Sequence, residues 1–171
     1  MIHLYIGDGK GKTTAAVGLA TRAAGCGRNV VFAQFLKGSH TGEIVSLETL
    51  GVRVIRSERN MGFIWNMDSE KQDAFRMEQT RLFEAVTKMV FDTPPVDVLI
   101  LDEALDGLAT NMLDDETFRD LIIRKPDGLE IVVTGRAAPD WLTEKADYIT
   151  EMKKIRHPYD SGAVARQGIE Y

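Results

Sequence analysis

The sequence predicts an α/β fold, a doubly wound, mostly parallel sheet flanked by helices, as a single domain over residues 1–171. Three observations point there. Short β-branched or aliphatic runs alternate with longer segments of helical spacing, several runs are apolar at consecutive positions, and a glycine-rich stretch follows the first run. Strands buried on both faces read as continuous apolar runs, as in parallel sheets. Strand and helix in alternation imply right-handed crossovers, with ligands bound beyond the carboxyl ends of the strands.

In chain order the strand candidates are Ile2 to Ile6, Asn29 to Phe35, Val52 to Arg56, Val96 to Leu101 and Glu130 to Thr134, with a weaker one at Tyr148 to Glu151. After Lys12, Ala16, Leu19, Ala20 and Ala23 fall at i, i+3, i+4 and i+7, and Gly25 and Gly27 supply a stop. From Asp68 to Phe91, Phe75, Leu82, Val86 and Met89 form an apolar stripe while Glu70, Lys71, Arg76, Glu78 and Lys88 take other faces. Pro94 and Pro95 break this helix before the next strand. Gln34 to Gly42 and Ser57 to Asp68 read as loops on the ligand side of the sheet, where long loops carry substrate contacts more often than elsewhere.

Composition bounds the function. With 44% hydrophobic and 27% charged residues, 171 residues suit one domain with a sizeable core. The net charge of −5, without a run of five like charges, disfavours a nucleic-acid or anionic-membrane surface. One cysteine, Cys26, excludes an intramolecular disulfide and a cysteine-rich zinc site. Met1 leads directly into the first strand, with neither a secretory signal nor a long apolar stretch, so a cytoplasmic location is expected.

The most informative stretch is Gly7-Asp8-Gly9-Lys10-Gly11-Lys12-Thr13-Thr14. In a phosphate-binding loop, glycines let successive N–H groups point inward, and the helix N-terminus adds positive potential. Lysine supplies a mobile charge and the following hydroxyl binds magnesium, roles that Lys12 and Thr13 fit. The spacing is short, since Gly7 and Gly11 enclose three residues where the common pattern has four. The alternative is a merely flexible turn.

Val98-Leu99-Ile100-Leu101 ends in Asp102 and Glu103, which could complete a magnesium shell or simply favour the next helix N-terminus. Arg136, in Thr134-Gly135-Arg136 at the end of another apolar strand, is either a phosphate grip or a solvated charge. His157 reads as structural.

With these elements the chain resembles the ATP:corrinoid adenosyltransferase family of cobalamin biosynthesis and salvage, of the phosphate-loop type. The resemblance runs almost end to end, through the shortened loop, Gln34-Phe35-Leu36-Lys37-Gly38, Gly62-Phe63-Ile64-Trp65, Leu101-Asp102-Glu103, Thr134-Gly135-Arg136, Arg156-His157-Pro158-Tyr159 and Gly168-Ile169-Glu170-Tyr171. It implies a P-loop NTPase-like (RecA-like) domain and transfer of the 5′-deoxyadenosyl group of ATP to the cobalt of a reduced corrinoid, cob(I)alamin or a relative, releasing triphosphate. Gly7, Asp8, Gly9, Lys10, Gly11, Lys12, Thr13, Thr14 and Arg136 would hold the triphosphate, with Lys12 neutralising the leaving group. Thr13, Asp102 and Glu103 would hold Mg2+.

Phe63 and Trp65 match the family's aromatic pair, which packs against the lower face of the corrin and excludes an axial ligand, easing reduction of cobalt(II). The resemblance further implies a reduced flavoprotein as electron donor and a homodimer. Three positions depart from the family pattern: Ile64 stands where threonine is usual, Ala104 where leucine is typical, and the sequence starts at the first strand where longer members carry a segment that folds over the active site. Cover for the corrinoid is then expected to come from elsewhere or to be weaker, or the preferred corrinoid to differ. The rival readings are another P-loop small-molecule kinase or nucleotide hydrolase, which would yield ADP, and a non-catalytic corrinoid or nucleotide carrier.

Overall fold

A computed structural model describes residues 1–39, 41–57, 67–162 and 164–171. Six strands, β1 (Ile2–Ile6), β2 (Val30–Gln34), β3 (Arg53–Arg56), β4 (Val98–Asp102), β5 (Glu130–Thr134) and β6 (Tyr148–Glu151), form one sheet in the order β3-β2-β4-β5-β1-β6. Every pairing is parallel, so all six carboxyl ends open on the same edge. The expected mostly parallel sheet is therefore wholly parallel.

Consecutive apolar residues in the central strands follow from helices on both faces. All five residues of β2 and of β4 are buried. Ile2, Leu4, Val31, Ala33, Leu99, Leu101, Ile131 and Val133 point to one face, and Val30, Phe32, Val98, Ile100 and Val132 to the other. The second face is covered by α1 (Lys12–Gly25) through Ala16 and Ala20 and by α2 (Gly42–Thr49) through Leu47. The first is covered by α3 (Ser69–Phe91), α4 (Ala104–Ala109), α5 (Asp115–Arg124) and α6 (Asp140–Thr143). Each fully buried Leu, Val or Phe stabilises the fold by about 1.5–3 kcal/mol. Alanines on α1 let that helix lie close to the sheet, which brings its N-terminus over the strand ends.

The anticipated helix boundaries have local causes. Gly27, at φ 76°, turns the chain out of α1. Asp68 caps α3 by accepting the Lys71 N–H at 2.9 Å. The expected loop beginning at Gln34 ends where α2 starts at Gly42, with Gln34 itself the last residue of β2. Helices α4 and α6, of six and four residues, are too short to carry a period, whereas Phe118, Leu121 and Ile122 give α5 a readable one. Phe63 and Trp65 lie outside the described residues. Among those described, no helix is long and apolar enough to cross a membrane.

Candidate active site

The phosphate loop lies between β1 and α1, at the carboxyl edge of the sheet. Gly7 and Gly11 adopt φ 113° and 119°, left-handed values that favour glycine. The Gly7 N–H donates to the Arg136 carbonyl at 2.9 Å and the Gly9 N–H to the Met152 carbonyl at 2.6 Å. A Cβ on either Gly7 or Gly9 would stand 2.5 Å from that Met152 oxygen, so the end of β6 presses directly on the loop. Asp8 Oδ1 accepts the Lys154 N–H at 2.9 Å, which holds the Asp8 carboxyl below its ordinary pKa. Lys10 Nζ reaches the Ile169 carbonyl at 2.9 Å.

Lys12 folds back over the loop, its Nζ donating to the carbonyls of Gly7 at 2.7 Å and Gly9 at 2.9 Å. Burial lowers the Lys12 pKa, nearby Asp106 opposes that, and Arg136 adds to it. Among the described residues the ammonium thus donates hydrogen bonds only to loop carbonyls, which an incoming anion can replace.

Beneath the loop, the ends of β2, β4 and β5 form a buried polar floor. Asp102, with no exposed surface, accepts from Thr13 Oγ1 at 3.0 Å, Thr134 Oγ1 at 2.8 Å and Gln34 Nε2 at 3.1 Å. Thr134 in turn accepts the Glu103 N–H at 2.9 Å. Lys37 Nζ lies 2.9 Å from Glu103 Oε1 and 3.5 Å from Asp102 Oδ2. Asp102 is therefore saturated, whereas among the described residues the Glu103 carboxylate forms an ion pair with Lys37 alone. Glu103 holds φ 60°, an uncommon backbone state for a residue with a side chain. Its carboxyl is raised above the ordinary range by burial, with Lys37 pulling it partly back. Burial would lower the Lys37 ammonium, but Asp102 and Glu103 more than offset this and hold it above its usual value.

Loop and floor open into a cavity of about 630 Å³, lined by Asp8 to Thr14, Lys37, Glu43, Glu103, His157 and the segment Gly168 to Tyr171, among others. All loop residues after Gly7 thus converge there with Glu103. Arg136 is exposed and not among the lining residues; its backbone, through the Gly7 and Asp106 contacts, is what meets the site. His157 does line the cavity, and its Nδ1 accepts the Tyr159 N–H at 3.1 Å, beginning the short 3-10 turn Pro158–Ser161. Gln34, Lys37 and Thr134 lie in the motifs quoted above, yet sequence reasoning assigns them no role, and Met152 lies in none. A polar residue closing the apolar run Val30-Val31-Phe32-Ala33 was a usable signal for Gln34. Met152 acts through its carbonyl, which no residue type announces.

Among the described residues, no three His, Cys, Asp or Glu side chains gather as a metal cage. Magnesium seldom uses one; it takes one or two carboxylates, waters and substrate phosphates. The hydroxyl of Thr13, the carboxylates of Asp102 and Glu103, and the buried Gln34 Oε1, which has no partner among the described residues, are hard oxygen donors of that kind.

Comparison with known proteins agrees with this chemistry. The family model described as ATP:corrinoid adenosyltransferase BtuR/CobO/CobP matches residues 1–171. The chain belongs to this ATP:corrinoid adenosyltransferase family. Corrinoid adenosyltransferase of Escherichia coli K12 is 33% identical over 172 residues, covering all of this chain and 85% of the relative. Corrinoid adenosyltransferase CobA of Salmonella typhimurium has the same identity and coverage. The Pseudomonas aeruginosa corrinoid adenosyltransferase is 32% identical over 173 residues, covering all of this chain and 83% of its own length. As a family member the chain is a transferase whose substrates are ATP and a corrinoid.

Proposed function

We propose that this adenosyltransferase moves the 5′-deoxyadenosyl group of ATP to the cobalt of a reduced corrinoid. Cobalt(I) attacks C5′ of the ribose, the cobalt–carbon bond forms, and the C5′–O bond breaks with its electron pair retained by triphosphate. The observation that carries the reading is the family match over residues 1–171. It is supported by a loop that gathers Lys10 and Lys12 at one cavity, as a triphosphate leaving group requires.

In this reading Gly7 to Thr14 cradle the triphosphate with backbone N–H groups, and Lys12 exchanges its two loop carbonyls for phosphate oxygens. Mg2+, when bound, adds positive charge at the breaking bond. Glu103 would be its protein ligand, since the Asp102 oxygens are already engaged by Thr13, Thr134 and Gln34. Asp102 instead orients the Thr13 hydroxyl. Arg136 holds phosphate from the rim once its exposed side chain turns inward. Phe63 and Trp65 pack on the lower face of the corrin and exclude an axial ligand. A reduced flavoprotein supplies the electron, and the chain acts as a homodimer in the cytoplasm.

Incubation with ATP, a reductant and cob(II)alamin tests the reaction. Triphosphate and the absorption change of a cobalt–carbon bond are expected. ADP without triphosphate, and no absorption change, would replace this reading with phosphoryl transfer.

A further inference from the structure

The ion pair at the floor of the site has an unusual composition. An ammonium on a loop stands between the two carboxylates at the end of β4. Lys37 Nζ is 2.9 Å from Glu103 Oε1 and 3.5 Å from Asp102 Oδ2. The same Asp102 Oδ2 accepts from Gln34 Nε2 at 3.1 Å. The other end of that amide, Gln34 Oε1, is buried in the cluster with no partner among the described residues. A buried acceptor without a donor is costly, and beside two carboxylates it marks a place for a hydrated cation.

Lys37 is also tethered in a way that permits release. It follows Leu36, which holds φ 59° and donates its N–H to Gln79 Oε1 at 3.0 Å, so the backbone before the lysine is fixed. The Lys37 side chain is 26% exposed and borders the same cavity as Lys10 and Lys12. A magnesium ion on Glu103 would lie about 2.1 Å from the carboxylate oxygen that Lys37 now contacts. Two cations at such separation repel strongly in a partly buried site.

We propose that Lys37 is the resident cation of the Asp102–Glu103 site, displaced by the arriving divalent metal onto the triphosphate that accompanies it. This rests on the reading that Glu103 receives the metal. Lys37 then serves twice. It neutralises the carboxylates through its own ion pairs, and it adds a positive charge to the leaving group once the metal has taken its place. Metal and triphosphate reinforce each other through one side chain, because the metal alone must expel Lys37 without offering it a new anion.

The test is binding of Mn2+, alone and with inorganic tripolyphosphate, to the full chain, followed by calorimetry and by the electron paramagnetic resonance of free Mn2+. Removing the competitor in Lys37→Met should tighten Mn2+ alone by about tenfold and weaken tripolyphosphate in the presence of Mn2+. Lys37→Arg should behave like the wild type toward Mn2+ alone. Unchanged or weaker Mn2+ binding in Lys37→Met, with Glu103→Gln still impairing it, would overturn the proposal and leave the metal assignment standing. Indifference of Mn2+ to Glu103→Gln would overturn both. Tighter Mn2+ with unaltered tripolyphosphate binding would overturn the transfer to phosphate. Wild-type protein with 15N-lysine gives a readout that needs no folded Lys37→Met variant. The half-buried ammonium signal that is missing in Lys37→Arg should shift or vanish on saturation with Mg2+, and its persistence in place would overturn displacement.

Discussion

The floor of the cavity and its outer wall are built by opposite means. On the floor, Gln34, Asp102 and Thr134 are buried at the ends of three neighbouring strands, and hydrogen bonds join residues distant in sequence into one network. The wall, residues 152–171, is mostly exposed and bonds chiefly to itself, through Lys154 with Asp160, His157 with Tyr159 and Arg166 with Glu170. Among the described residues, three hydrogen bonds fasten it to the loop: Met152 to Gly9, Lys154 to Asp8 and Ile169 to Lys10. The contrast separates two tasks. Charge handling is fixed by the sheet, where register holds each donor in place, while enclosure is delegated to a segment attached at a few points.

Damage to the floor should therefore cost stability as well as binding. Asp102→Ala strands the donors of Thr13, Gln34 and Thr134 and leaves Lys37 half-paired, so a loss of about 3 kcal/mol is expected in urea unfolding, together with loss of metal-dependent nucleotide binding. Wild-type stability in that variant would break the distinction. Gly9→Ala acts where wall meets loop. Its Cβ would collide with the Met152 carbonyl, backbone against backbone, and the expected cost is about 2 kcal/mol with at least a tenfold loss of tripolyphosphate affinity.

Acid should separate the two regions without mutation. Burial raises Glu103, so its carboxylate accepts a proton as pH falls toward a value above 4.5. Metal affinity, which needs the ionised form, is lost as the pH falls through that raised value. The Lys154 N–H lowers Asp8, so this wall contact persists until the pH is below 3.8. Carboxyl carbon NMR should find Glu103 titrating first; the reverse order would unsettle the assignment of floor and wall. The smallest effect is expected of Asp8→Ala, which removes one exposed contact. Tripolyphosphate binding should weaken by about threefold, with thermal unfolding unchanged.

Much of this was legible in advance because the signals were periodic or compositional. The strands at Ile2–Ile6, Glu130–Thr134 and Tyr148–Glu151 have the boundaries expected of them, and Lys12 begins α1 because the glycine loop ends there. Lys12, Thr13, Asp102 and Glu103 are brought together by the strand-end geometry that parallel topology dictates. What lay out of reach depends on register. That Gln34 stands opposite Asp102 is a property of the β2–β4 pairing, and Lys37 meets Glu103 only because Leu36 turns the chain at a left-handed φ. Arg136 shows the converse. Its position at a strand end was readable, but its side chain is exposed and the backbone makes the contacts seen. Phe63 and Trp65 rest on the family pattern alone.

The strand that steadies the phosphate loop is also the sheet's most exposed one. Among the described residues β6 lies at the edge, pairs with β1 alone, and has all four residues exposed, yet the chain leaving it carries the carbonyl that receives the Gly9 N–H. Edge strands open at lower free energy than the centre of a sheet. On warming, the loop should lose its anchor while the core is still folded, so heat would switch this enzyme off well before it melts. The first loss on heating is then expected at four exposed residues on the sheet margin, ahead of the buried core.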